Sequence, residues 1–97
     1  MTSEAIPIVN NPAEGRFEAN VDGRLAVTEY RLRDGVIEFV HTDVPRELEG
    51  RGVASHLARA GLDYARAENL RVVARCPFIA AWVRRHPEYQ DLVRTRS

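Results

Sequence analysis

Residues 49–57 are Glu49-Gly50-Arg51-Gly52-Val53-Ala54-Ser55-His56-Leu57, the point at which the chain changes from strand to helix periodicity. Two glycines and an arginine precede a run in which small and apolar residues recur at helical spacing. From about Gly52 to Glu68, Ala54, Leu57, Ala58, Gly61 and Ala65 fall on one face, and Arg59, Asp63 and Arg66 lie away from it. Just upstream, VIEFVHTDV at 36–44 reads as a long strand. Pro45 ends it, and Arg46 to Arg51 form a polar loop. The glycines therefore lie between the C-terminal end of a strand and the N-terminus of a helix. Amide N–H groups left unpaired there, with the positive end of the helix dipole, favour a phosphate. Glycine lets the backbone approach an anion without a side chain in the way, and Arg51 adds a formal charge. A plain strand-to-helix connection is the competing reading.

The flanking sequence sets the topology. ArgPheGluAlaAsnVal at 16–21 alternates apolar and polar residues, the period of a half-buried strand. Asp22-Gly23 is a hairpin turn signal, residues 24–32 form a second strand, and Arg33-Asp34-Gly35 turns into the strand at 36–44. This is an antiparallel meander. After the helix, Asn69 is a stop signal, and Leu70 to Cys76 is a short valine-rich strand. It should run parallel to the strand before the helix through a right-handed crossover. Pro77 opens a second helix at its favoured first position, with Phe78, Ile79, Trp82 and Val83 on the buried face. His86-Pro87 bends or ends that helix. Ile6 to Val9 reads as an edge strand in a frayed segment, 1–15. The fold class is α+β, a meander followed by strand–helix–strand–helix, in one domain over 1–97 whose first 15 residues are partly flexible.

Composition excludes several functions. Fourteen arginines, no lysine and fourteen acids give zero net charge, which argues against a nucleic-acid binder. Residues 1–50 carry five arginines and ten acids, whereas 51–97 carry nine arginines and four acids, so anion-binding capacity follows the first half. One cysteine, Cys76, precludes an internal disulfide and a multi-cysteine zinc site. No apolar run approaches a membrane span, and the N-terminus lacks the pattern of a signal peptide. The expectation is a cytoplasmic protein with no metal and no membrane or nucleic-acid partner. A P-loop is a poor match because GRGVAS lacks the Lys-Ser/Thr that follows the second glycine there.

With these residues in place, the strand ending at Val44, the GRGVA turn and the amphipathic helix resemble motif A of the GNAT superfamily of acyl-CoA-dependent N-acetyltransferases. Its pattern is Arg or Gln, two residues, Gly, one residue, Gly or Ala. Gly52 and Ala54 match the small positions, and Glu49 departs from the first. The ordered set HT, GRGVA, CPF and HPEY is similar to the short YjdJ-type and NATD-type GNAT-like branch, over roughly Arg16 to Val93. The resemblance implies a minimal GNAT-like fold. The two N-terminal helices that usually help build the acceptor site have no room before Arg16. It implies acetyl-CoA as co-substrate, with the amides of Gly50, Arg51, Gly52, Val53 and Ala54 around the pyrophosphate. Thr42, Asp43 and Val44 would pair with the pantetheine arm like an added strand. Arg46 or Arg51 would approach the phosphates.

Three residues are candidates for the chemistry. His41 shares parity with Ile37 and Phe39, so the alternation turns it to their apolar face; a buried histidine competes with a general base. Cys76 shares parity with Val72 and Ala74. It reads as a small core residue, or else as a proton donor to the departing thiolate, a transient acyl acceptor or a pocket wall, since a helix N-terminus activates a thiol. Tyr89 packs a helix end or gives a proton to the thiolate. The expected function is acyl transfer by direct attack of an amine of unknown identity on the thioester. The alternative is a non-catalytic CoA-binding or interaction module. A second copy of the chain in a homodimer could supply the missing acceptor wall.

Overall fold

A computed structural model describes residues 6–93. In it, β1 (Ile8–Asn11), β2 (Arg16–Val21), β3 (Arg24–Arg33) and β4 (Val36–Asp43) are followed by a 3-10 turn (Arg46–Leu48) and α1 (Val53–Ala67). Then come β5 (Arg71–Ala74), α2 (Pro77–Arg84), a second 3-10 turn (Pro87–Tyr89) and α3 (Gln90–Val93). The strands form one sheet in the order β1-β2-β3-β4-β5, antiparallel except for the parallel β4–β5 pair. The meander, the crossover and the parallel fifth strand are as the sequence predicts. The two Asp-Gly hairpin turns place both residues in the left-handed region: Asp22 at φ 53° with Gly23 at 77°, and Asp34 at 52° with Gly35 at 78°. That conformation matches the twist of the strands. The edge strand lies two residues later than Ile6 to Val9, and residues 1–5 of the segment expected to be frayed lie outside those described.

Alternation divides the sheet. Phe17, Ala19, Ala26, Thr28, Tyr30, Ile37, Phe39 and Val72 are buried on one face and join α1 and α2 in a single core. On α1, Val53, Leu57, Ala58, Gly61, Leu62 and Ala65 are buried; Ala54, expected on that face, is half-buried. Gly61 marks the closest approach of helix and sheet. A Cβ there would stand 2.8 Å from Phe39 Cε1, so only glycine lets α1 lie this close to β4. The α2 residue Trp82 donates from Nε1 to Ser55 Oγ (2.9 Å), and Tyr89 donates from its hydroxyl to Asp63 Oδ1 (2.6 Å). These bonds hold the C-terminal elements beside α1. On the opposite face Glu18, Asn20, Leu25, Glu29, Arg31, Glu38 and Val73 are half-buried or exposed, and only Val27 there is buried.

The meander contains one irregularity. Glu29 pairs with His41 but Tyr30 pairs with Phe39, so Val40 is an extra residue in β4. A bulge of this kind reverses the facing of every residue beyond it. Thr42, opposite buried Thr28, therefore points to the core face, and His41, opposite Glu29, points to the other. His41 is exposed. The sequence-based expectation that it shares a face with Ile37 and Phe39 is corrected here: alternation holds only as far as Val40.

Candidate functional site

The β4–β5 ladder ends early. Its last pair is Phe39–Ala74, after which the Arg75 and Cys76 N–H groups both donate to Phe39 O, at 3.0 and 2.9 Å. Pro77 then starts α2, and Cys76 is its N-cap. β4 runs on to Asp43. Its edge from His41 to Asp43, on the side of β5, has no neighbouring strand among the described residues. A wedge thus opens between β4 and the start of α2.

At the far end of that edge lies the glycine loop. Gly50 (φ 84°) and Gly52 (φ 78°) are left-handed, which explains glycine at both. Space is open above them. A Cβ on Gly50 would meet nothing within 4 Å, and one on Gly52 only His56 Nδ1 at 3.9 Å. Gly52 is the N-cap of α1 and caps it with no side chain. The first helical bond is His56 N–H to Gly52 O at 3.1 Å, so the amides of Val53, Ala54 and Ser55 precede it. A cleft of about 240 Å³ joins Val44, Gly50, Gly52, Val53, Ala54 and Phe78. Arg46 is exposed on the 3-10 turn, whose Leu48 is buried. Arg51 donates to Asp22 Oδ2 (3.0 Å), tying the loop to the β2–β3 turn. Asp43 is exposed and opposite Val27.

Cys76, 3% exposed, donates from Sγ to Thr42 Oγ1 at 3.3 Å; Thr42 Oγ1 in turn shares a 2.7 Å hydrogen bond with Thr28 Oγ1. The bulge makes this chain possible by turning Thr42 inward. The structure therefore brings Cys76 and Thr42 together inside the wedge, puts His41 on the outer face beside Glu29, and places Tyr89 elsewhere. The Tyr89 hydroxyl is held by Asp63 and receives a bond from Arg59 Nη1 (3.2 Å), both on α1. Burial, reinforced by the bond to Asp63, raises its pKa, and burial also raises that of Tyr30. Folding therefore favours the protonated phenols. Their contribution to stability is whole below the ordinary phenol value of about 10 and is lost as pH rises through the higher folded values. An alkaline titration followed by phenolate absorbance is expected to show both ionising late, with unfolding accompanying them.

Thr28 reads in the sequence as an ordinary strand residue, and Phe78, expected on the buried face, packs against the core and also lines the cleft. Only the bulge, which no local pattern announces, reveals the role of Thr28.

A GNAT-like fold is thus present in its minimal form: meander, glycine loop, helix, splayed parallel strand. The family model for GCN5-related N-acetyltransferases matches residues 16–92, and the chain belongs to that family. The family's reaction is acetyl-CoA-dependent acetyl transfer. Among its relatives, Protein NATD1 of Xenopus tropicalis is 38% identical over 95 residues, covering 95% of this chain and 87% of that one. Protein NATD1 of Bos taurus is 41% identical over 59 residues, 61% of this chain and 52% of that protein. The matched segment thus spans about half the length of the bovine relative. The solution structure of a GCN5-like protein from Staphylococcus aureus superposes with a TM-score of 0.73 at 31% identity, covering all of this chain and 94% of the other. Among the described residues no helix is long and apolar enough to cross a membrane, and no group of metal-ligating side chains occurs.

Proposed function

We propose that this chain is one folded unit that binds acetyl-CoA in the wedge and transfers the acetyl group directly to an amine. The observation that carries the reading is the unpaired β4 edge leading from beside Cys76 to the two left-handed glycines. An extended amide-bearing arm can add to such an edge as a strand does. A pyrophosphate suits the amides of Gly50 to Ala54, where open space stands in place of side chains. The co-substrate supplies an activated acyl carbon. The protein's part is to hold it, to polarise its carbonyl with β4 N–H groups, and to position the amine. The amine nitrogen forms the new C–N bond, the C–S bond breaks, the amine loses a proton and the thiolate gains one. His41, open to solvent on the face without helices, is the candidate to take the first proton. Cys76, inside the wedge, is the candidate to give the second. Tyr89 is committed to Asp63 and Arg59, which weighs against that role for it. Arg46 can reach the phosphates from its exposed turn, whereas Arg51 is engaged with Asp22.

One observation favours the second reading, a CoA-binding module without transfer: among the described residues the Cys76 thiol bonds Thr42, a group that does not titrate. Transfer of labelled acetyl from acetyl-CoA to a panel of amines separates the two. The expected result is transfer by the native protein and about a hundredfold less by Cys76→Ala, with CoA affinity within about threefold of native. Binding without transfer to any amine supports the module.

A further inference from the structure

The edge of β5 away from β4 forms a second opening, separate from the wedge. Among the described residues β5 is the last strand of the sheet. Arg71 N–H bonds Gly35 O and Arg75 N–H bonds Phe39 O, so odd-numbered residues direct their backbone groups to β4. By the alternation of a strand, the N–H and C=O of Val72 and Ala74 point outward. Beside them a groove of about 580 Å³ is lined by Val72, Val73, Ala74, Ala80, Val83 and Val93. Residues from both faces of β5 line it, so it includes the strand's open edge. On the helix-free face, a cleft of about 670 Å³ rests on Val36 and Val73. Val73, 38% exposed, lines both.

We propose that this edge takes up an extended, acidic peptide segment of another protein as a sixth strand. Main-chain bonds to Val72 and Ala74 would hold it, and its alternate side chains would enter the two depressions. Charge selects the occupant. Arg31, Arg33 and Arg75 stand around the cleft, Arg84 lines the groove and Arg71 begins the strand, against the three carboxylates Asp34, Glu38 and Asp91, the last beside Arg71. Glu38 is ion-paired with Arg75. A second copy would bring the same arginines face to face: a two-fold pairing centred on Val73 sets Arg71 against Arg75. Like charges so placed oppose pairing. The residues that guard the edge against self-association are thus those that suit a carboxylate-bearing strand.

The test uses a fluorescein-labelled peptide of alternating valine and threonine with two glutamates at each end, titrated with the full chain. Anisotropy is expected to show binding, with amide NMR shifts centred on Arg71–Ala74. Replacing the glutamates by lysines, or methylating alternate peptide nitrogens, is expected to weaken it at least about tenfold. Val73→Glu, a change at an exposed position, should do the same while leaving the other amide resonances in place. Equal affinity for the lysine peptide, shifts confined elsewhere, absence of binding at millimolar peptide, or self-association of the chain through β5 would each overturn the proposal.

Discussion

Trp82→Ala is expected to cost about 3–5 kcal/mol of folding stability, a large part of the roughly 5–15 kcal/mol typical of a domain. Trp82 is 1% exposed and belongs to the core. Its ring stacks on His86 at 3.6 Å and 9°, and Tyr89 lies 5.5 Å away. Its Nε1–H holds Ser55 in the first turn of α1, and the Arg59 guanidinium stands 5.3 Å above it. The alanine variant opens a cavity where α1, α2 and the C-terminal turn meet. Trp82→Phe keeps most of the ring and loses the bond to exposed Ser55, whose hydroxyl regains water, so its cost should be about 1–2 kcal/mol. Urea denaturation of the three proteins measures both. A loss below about 1 kcal/mol for alanine would mean that α2 is not fastened to α1 as described.

Gly52→Asp is expected to weaken CoA binding at least about tenfold relative to Gly52→Asn. Both side chains must adopt φ near 78°, a conformation costing roughly 1–2 kcal/mol for most residues and less for these two. The pair is nearly isosteric, so the comparison cancels strain and leaves one negative charge at the amides proposed to meet the pyrophosphate. Salt should narrow the difference, since the loop is exposed. Equal affinities for the two variants would remove the phosphates from this loop.

Most of the fold was legible because local signals agreed with one another. Asp22-Gly23 and Asp34-Gly35 fixed the hairpins, the 16–21 alternation gave β2 to the residue, and Pro77 gave the start of α2. After Arg85, the His86-Pro87 pair announces only that α2 bends or ends. Pro87 does break α2, but it also opens a 3-10 turn that leads into the four residues of α3, too short a run to show a helical period. The glycine loop was legible from its place between strand and helix. His41 was not, because the Val40 bulge arises from pairing with β3, and a count of alternate residues cannot detect an extra one. The Arg51–Asp22 and Trp82–Ser55 contacts join residues 29 and 27 positions apart, which no spacing rule connects. The same bulge that defeats the alternation turns Thr42 toward Cys76 and His41 toward solvent, and so places the candidate acid and base on opposite faces of β4.

The central claim, that the wedge and the glycine loop form a CoA site, is tested most directly by titrating the protein with acetyl-CoA and following backbone amide resonances. Saturable shifts concentrated on His41 to Val44 and on Gly50 to Ala54 are expected, with accompanying heat in a calorimeter. Absence of heat and of shifts at millimolar acetyl-CoA, or shifts clustered away from both segments, would contradict it.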